Sequence, residues 1–214
     1  MGESALRKDN ISDAVIRRLP RYYRQLSELR VHGVERISSL ALGREMGITA
    51  SQIRQDFSCF GEFGQQGYGY HVKELCEEIG RILGVDRKRR LIVVGVGHLG
   101  HALLQNFPFL KCGFVVDAAF DVSAAVVGST VNGVTVRDMA TIDAYLRENS
   151  VDAVVLTVPR NAAQGIADRL ISLGVRGFWN FTNVELSAAQ PDVKFEDIHF
   201  SDSLLTLSYR LANA

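Results

Sequence analysis

Ten residues near the middle of the chain have the types and spacing to hold a dinucleotide. Leu91-Ile92-Val93-Val94 run directly into Gly95-Val96-Gly97-His98-Leu99-Gly100, an apolar stretch followed by G-x-G-x-x-G. In that pattern the first glycine makes a tight turn, the second lets the backbone approach a pyrophosphate, and the third lets the next helix pack closely on the strand. Ala102, Leu103, Leu104 and Phe107 continue at helical spacing, so the loop opens a helix whose first amides attract phosphate. Asp121 stands 21 residues past Gly100, at the end of a second apolar stretch from Gly113 to Phe120. A carboxylate at that place accepts the ribose hydroxyls and repels a 2′-phosphate, which points to NAD and NADH rather than NADP. Asp117 is the alternative, but it falls inside the strand rather than at its carboxyl end.

The elements that position these residues alternate strand with helix. Val151 to Thr157 reads as a strand ending at Val158-Pro159, Asn161 caps a helix from Ala162 to Leu173, and Gly174 to Asn180 begins another strand. Two short β pieces flank the turn dipeptide Asn132-Gly133, and Ile142 to Leu146 is helical. Such alternation gives a parallel sheet with crossover helices, an α/β Rossmann-like domain. Ligands of such sheets lie beyond the carboxyl ends of the strands. That rule joins the glycine loop, Asp121, Thr157, Val158, Pro159 and Asn180 to Thr182 into one cofactor-binding rim. Ile198-His199-Phe200 is expected as a strand, followed by a short apolar helix from Asp202 to Leu211 that needs a partner surface, such as another protomer.

Upstream lies a module of a different kind. A long helix from Ser12 to Arg30, capped by Asn10 or Ser12 and kinked or divided at Pro20, sets Val15, Ile16, Leu19, Tyr22, Tyr23, Leu26 and Leu29 against a row of arginines. That row, Arg17, Arg18, Arg21 and Arg24, is either a solvated face or a surface for phosphates or a second domain. Ser38 or Ser39 caps a short helix with Leu40, Ala41 and Met46 inward, and Gly47 is its left-handed stop. Thr49-Ala50-Ser51-Gln52 is then a capping box, with Ala50, Ile53 and Phe57 as the buried stripe of a second helix. Helix, glycine turn and capped helix form a helix-turn-helix, with Ser51, Gln52, Arg54, Gln55 and Ser58 directed outward to read base edges and phosphates. Phe60 to Val72 reads as a glycine-rich hairpin, the wing of a winged helix, with Gln65 and Gln66 near its tip and Tyr68 beside it. Lys73 to Leu83 closes the module. Asp86 to Arg90 reads as a charged, solvated linker.

Composition agrees with two modules. The chain has 214 residues and no net charge, but residues 1–90 carry 16 Lys+Arg against 12 Asp+Glu, whereas residues 91–214 carry 8 against 12. A basic front and an acidic back suit different partners, the front a polyanion. No run has the length of a membrane span and the first residues have no apolar signal core, so a cytoplasmic location and no membrane partner are expected. Cys59, Cys76 and Cys112 are odd in number and far apart, which gives neither a disulfide framework nor a metal knuckle.

Several of these stretches together closely resemble the Rex family of redox-sensing transcriptional repressors. They are Ala50 to Asp56, Phe60 to Gly64, Gly69-Tyr70, Val94 to Gly100, Ala119-Phe120-Asp121, Thr157-Val158-Pro159 and Asn180-Phe181-Thr182, in the family's order. The resemblance implies a winged-helix DNA-binding domain at 1–85, a Rossmann NAD(H) domain at 86–200, and a C-terminal helix at 201–214 exchanged in a homodimer. It implies release from operator DNA by NADH, with NAD+ leaving the complex intact or favouring it. The DNA-binding set is then Arg18, Arg44, Ser51, Gln52, Arg54, Gln55, Gln65, Gln66 and Tyr68. Arg24 and Asp202 match positions of a switching ion pair in the family. The uncharged ring of NADH is expected to bury in an apolar cleft near Phe107, whereas the charged ring of NAD+ resists desolvation there.

Some positions depart from the family. Gln55 stands where Lys is frequent, Gln65 and Gln66 replace basic residues at the wing tip, Phe107 lacks the frequent phenolic hydroxyl, and Ser203 replaces an apolar residue. Fewer neutralised phosphates mean a shallower salt dependence of DNA binding.

A small NAD-dependent oxidoreductase is the competing class. It needs a proton-transfer residue and a substrate domain, but the second domain is the winged helix. The five histidines, His32, His71, His98, His101 and His199, are scattered without metal-ligand spacing. No catalytic residue and no metal are therefore expected. A dinucleotide fold that has lost its ligand fits poorly with intact glycines and Asp121.

Overall fold

The computed structural model describes residues 11–61, 63 and 68–213. It divides into two compact units, Met1–Asp86 and Arg87–Ala214.

In the first unit, α1 (Asp13–Val31) runs through Pro20 as one helix and buries Val15, Leu19, Tyr22, Leu26 and Leu29. Ile16 does not join that stripe and is about half exposed. β1 (Arg36–Ile37) follows, then α2 (Ser39–Met46) and α3 (Ala50–Ser58). The Ser38 hydroxyl accepts from the Ala41 amide, and Gly47 closes α2 at φ +69°. The inward residues of α2 are Leu42 and Gly43, not Leu40 and Ala41, and Leu40 is 55% exposed. The cause is the close α2–α3 approach. A Cβ at position 43 would meet the Ile48 carbonyl oxygen at 2.5 Å, so the glycine side of α2 is the one that packs.

β2 (Tyr70–His71) pairs antiparallel with β1, and α4 (Val72–Leu83) completes a core built on Tyr22, Leu26, Leu42, Ile53, Phe57 and Ile79. The described end of the expected hairpin thus pairs with Arg36–Ile37, just before the Ser38 cap of α2. Gln65 and Gln66 lie outside the described residues.

The second unit holds a seven-stranded sheet in the order β5-β6-β4-β3-β7-β8-β9. Its strands are β3 (Arg89–Val94), β4 (Phe114–Asp121), β5 (Thr130–Val131), β6 (Val134–Asp138), β7 (Ala153–Leu156), β8 (Gly177–Asn180) and β9 (Lys194–Asp197). β5 and β6 form an antiparallel hairpin on Asn132-Gly133, whose φ angles of 47° and 81° are those of a primed turn. The other pairings are parallel.

Helices α5 (His98–Asn106), α6 (Ile142–Glu148) and α7 (Ala163–Ser172) are the crossovers, and α8 (Phe200–Ala212) ends the chain. One face of the sheet packs Ile92, Phe120 and Leu156 against Ile142 and Leu170, and the other packs Val93, Ala119 and Val155 against Leu104. Because β4 lies on one side of β3 and β7 on the other, chain direction across the sheet reverses at β3. A crevice opens there beyond Val94.

Three local expectations change. Arg89 and Arg90 belong to β3 rather than a linker, and Arg90 Nε donates to Asp117 at 2.6 Å while the Tyr145 hydroxyl donates to the same carboxylate at 3.0 Å. Asp117 is therefore a strut between strand and helix. Asn161 makes no cap, because a short 3-10 turn at Arg160–Ala162 precedes α7. Phe200 opens α8, and the last strand is Lys194–Asp197 instead.

Candidate dinucleotide site and nucleic-acid interface

At the crevice beyond β3, a cleft of about 600 Å³ is lined by Gly95, Gly97, Asp121, Val122, Thr157, Val158 and Pro159 among others. The three glycines of the loop have three different reasons to be glycine. Gly95 sits at φ +94°, and a Cβ there would stand 2.7 Å from the Thr157 carbonyl oxygen. At Gly100 a Cβ would fall 1.9 Å from the Gly95 carbonyl oxygen, so packing of α5 on β3 excludes any side chain. Gly97 is the opposite case. Its φ of −67° suits any residue, and nothing lies within 4 Å of the place a Cβ would occupy. The open space over Gly97 faces the cleft at the N-terminus of α5, where first-turn amides have no intrahelical acceptor. Fold does not demand that glycine, and the space fits a pyrophosphate.

The loop is braced from two sides. The Val96 amide donates to Asp121 Oδ2 at 2.6 Å, and the Ser123 amide donates to Oδ1 at 2.8 Å. The Thr157 hydroxyl donates to the Gly95 carbonyl at 2.6 Å. Asp121 thus ends β4 at the cleft as an acceptor already aimed by backbone amides. His98 is exposed and Leu99 half-buried on the first turn of α5.

Two expected cofactor residues have their side chains engaged within the fold and are not among the residues lining this cleft. Asn180 is only 1% exposed, and its amide is fully engaged: Nδ2 donates to the Val184 carbonyl and to Asp197, both at 2.6 Å, and Oδ1 accepts from the Thr182 amide and hydroxyl. It ties the end of β8 to β9 and has no hydrogen-bonding capacity left for a ligand. Phe107 packs on Phe109 and Trp179, with ring centroids 4.9 and 5.0 Å away, and lines a separate cavity of about 420 Å³ with Leu91, Phe114 and Ala153.

In the first unit the helix-turn-helix presents Arg44, Ser51, Arg54, Gln55 and Ser58 to solvent, and Tyr68 is 70% exposed. The Thr49 hydroxyl accepts from the Gln52 amide at 3.1 Å, which is the forward half of the capping box. The return half is absent, because Gln52 Nε2 donates to Asp56 at 2.8 Å instead.

Arg18, expected on DNA, is likewise committed elsewhere. Its Nε and Nη2 donate to the two oxygens of Asp56 at 2.6 and 2.8 Å, and the Tyr22 hydroxyl adds a third donor at 2.7 Å. Burial pushes the Asp56 carboxyl upward, but the hydrogen bonds from Arg18, Tyr22 and Gln52 outweigh it and hold it below the usual carboxylate range. Burial, then the bond to Asp56, pushes the Tyr22 phenol well above its ordinary value. Sequence periodicity missed this cluster because its members lie 34 and 38 residues apart. A polar residue on the inward side of α3 was the available signal.

Among the described residues, no group of His, Cys, Asp and Glu is placed to hold a metal ion. No described helix is long and apolar enough to cross a membrane.

Residues 10–58 match the family model "Putative DNA-binding protein N-terminus", and residues 86–184 match "CoA binding domain". The redox-sensing transcriptional repressor Rex of Clostridium beijerinckii is 49% identical over 203 residues, covering 94% of this chain and 95% of that protein. The chain belongs to the Rex family. The Rex repressor of Clostridium tetani is 47% identical over 203 residues, covering 95% and 96% of the two chains. Among solved structures, the Rex-family repressor RSP in complex with β-NAD+ and operator DNA has a TM-score of 0.90 at 45% identity, covering 96% of this chain and 94% of that one. RSP in complex with β-NADH has a TM-score of 0.89 at 42% identity, with 96% of each chain covered.

Proposed function

We propose that this protein is a transcriptional repressor that binds operator DNA through α2 and α3 and is released by NADH, so that it reports the NADH/NAD+ ratio. The observation that carries this reading is the open space over Gly97 beside an oriented Asp121, in one chain with a helix-turn-helix. Relatives solved with NAD+ and operator DNA, and with NADH, support it. The nicotinamide ring supplies a change of one positive charge between its oxidised and reduced forms. Asp121 holds the ribose in either form, so discrimination lies where the chain differs in its affinity for the two rings.

The active form is a homodimer. Every described residue of α8 is exposed, including Leu204, Leu205 and Leu211 at 66 to 71%, and an apolar helix of this length needs a second surface. Exchange of this helix between copies provides one. Arg24 is exposed on α1 and Asp202 is exposed in the first turn of α8. Pairing of Arg24 in one copy with Asp202 in the other is the switch contact that differs between the DNA-bound and released states. The protein acts in the cytoplasm and is not an enzyme.

Two substitutions separate the roles of the units. Arg54→Ala, which removes an exposed guanidinium bonded to Ser39, is expected to weaken operator binding about tenfold at fixed salt and leave NADH affinity unchanged. Asp121→Ala is expected to weaken NADH binding by about tenfold or more and leave operator affinity near wild type. Fluorescence titration with each ligand checks both. The reverse pairing means the roles of the two units are exchanged.

A further inference from the structure

We propose that the buried Asp56 carboxylate sets the orientation of the Gln52 amide, so that Gln52 presents a fixed acceptor and donor to an adenine in the major groove. This rests on the reading of α3 as the operator-reading helix. The Asp56 side chain has no exposed surface and takes four donors: Arg18 Nε and the Tyr22 hydroxyl on Oδ2, Arg18 Nη2 and Gln52 Nε2 on Oδ1. An ionised carboxylate accepts and does not donate, so the end of the Gln52 amide that faces it is the NH2 group.

That choice decides what points away. Oε1 and the second N–H of Gln52 remain, an acceptor beside a donor. Adenine offers the matching edge, the N6 amino group and the N7 acceptor, and glutamine meets it with two bonds. Guanine presents two acceptors there, O6 and N7, so Oε1 faces a lone pair. Thymine presents an acceptor and a methyl group. Gln52 is the third residue of α3, in the turn from which recognition helices contact base edges. Its rotamer freedom is lost on folding rather than on binding, which favours the complex. Arg18 and Tyr22 on α1 act through Asp56 and are positioning residues.

The test uses the full-length protein and a duplex that it selects from a randomised library, with each base pair then substituted in turn at fixed salt. Wild type is expected to lose about tenfold in affinity when one particular adenine is replaced, and Gln52→Ala to lose that preference at that base pair alone. Tyr22→Phe keeps its ring against Phe57, 4.9 Å away, and removes only the hydroxyl. It is expected to cut the preference at the same adenine about threefold without changing the other positions. Enrichment of a duplex with an unchanged Gln52→Ala profile overturns the proposal and leaves the operator reading intact. A uniform loss across all positions in Tyr22→Phe overturns the positioning role. If no duplex is enriched, α3 is not a reader of DNA and both readings fall.

Discussion

Asp56→Ala is expected to destabilise the DNA-binding unit by about 3–5 kcal/mol and to abolish operator binding at ordinary temperatures. The substitution leaves the Arg18 guanidinium and the Tyr22 hydroxyl, both turned inward, without their acceptor. Domains of this size have about 5–15 kcal/mol in total, so the loss is a large share. The chain has one tryptophan, Trp179, on β8 in the other unit. A far-ultraviolet circular dichroism transition that moves to lower temperature, with the Trp179 fluorescence transition unmoved, is the expected signature.

The same carboxylate gives a pH dependence. Asp56 is held below its ordinary value in the fold, so its stabilisation is fully present above the unfolded carboxylate pKa of about 3.9 and is lost as pH falls through the lower folded value. Acid unfolding of this unit is therefore expected below about pH 4, and Asp56→Asn should flatten that limb. A steep limb retained in Asp56→Asn contradicts the assignment.

Gly97→Val is expected to leave thermal stability within about 0.5 kcal/mol of wild type while weakening NADH binding by a hundredfold or so. Backbone at φ −67° and ψ −166° accepts a β-branched residue, and no protein atom is near. The new side chain instead fills the space over the N-terminus of α5. Gly100→Ala is the control with the opposite outcome. Its Cβ falls 1.9 Å from a carbonyl oxygen, so the sheet and α5 must separate and stability drops. Calorimetric titration with NADH, alongside melting curves of the two variants, checks the pair. Unchanged NADH affinity in Gly97→Val means that the pyrophosphate does not sit over the loop.

The dinucleotide loop is legible in the sequence because its signals are local. A β-branched run, three glycines and a carboxylate at the next strand end are all read along the chain, and the structure brings Gly95, Gly97, Asp121 and Thr157 to one cleft. The polar misplacements share one cause. Periodicity states which face of a helix is apolar and is silent on what each polar residue meets across the fold. Periodicity leaves Arg18 in a row that is either solvated or a surface for phosphates or a second domain, and the resemblance puts it on DNA, although its partner lies 38 residues away on α3. Asn180 reads as a rim ligand, although the turn into β9 consumes its whole amide. Phe107 stands close to the glycines along the chain, but its ring packs on Phe109 and Trp179 rather than lining the cleft beyond β3. In α2 the apolar Leu40 loses its inward place to Gly43, because helix approach there is set by the smallest residue.

On the proposed reading, Arg44, Ser51, Gln52, Arg54, Gln55 and Tyr68 are the described residues left to meet DNA, and Gly97, Asp121 and Thr157 line the cleft for the dinucleotide. A dehydrogenase with the same loop would use the bound nicotinamide for turnover. Here the other unit carries a helix-turn-helix, and the proposed consequence of binding is a change in DNA affinity. By linkage, the factor by which NADH weakens operator binding equals the factor by which the operator weakens NADH binding.

The most direct measurement is the affinity of the full-length protein for an operator duplex, at fixed salt and fixed total dinucleotide, as the NADH/NAD+ ratio is raised. Operator affinity is expected to fall by about tenfold or more as NADH replaces NAD+, and to stay flat over the same range in Asp121→Ala. Equal operator affinity with saturating NADH and with saturating NAD+ contradicts redox sensing by this chain.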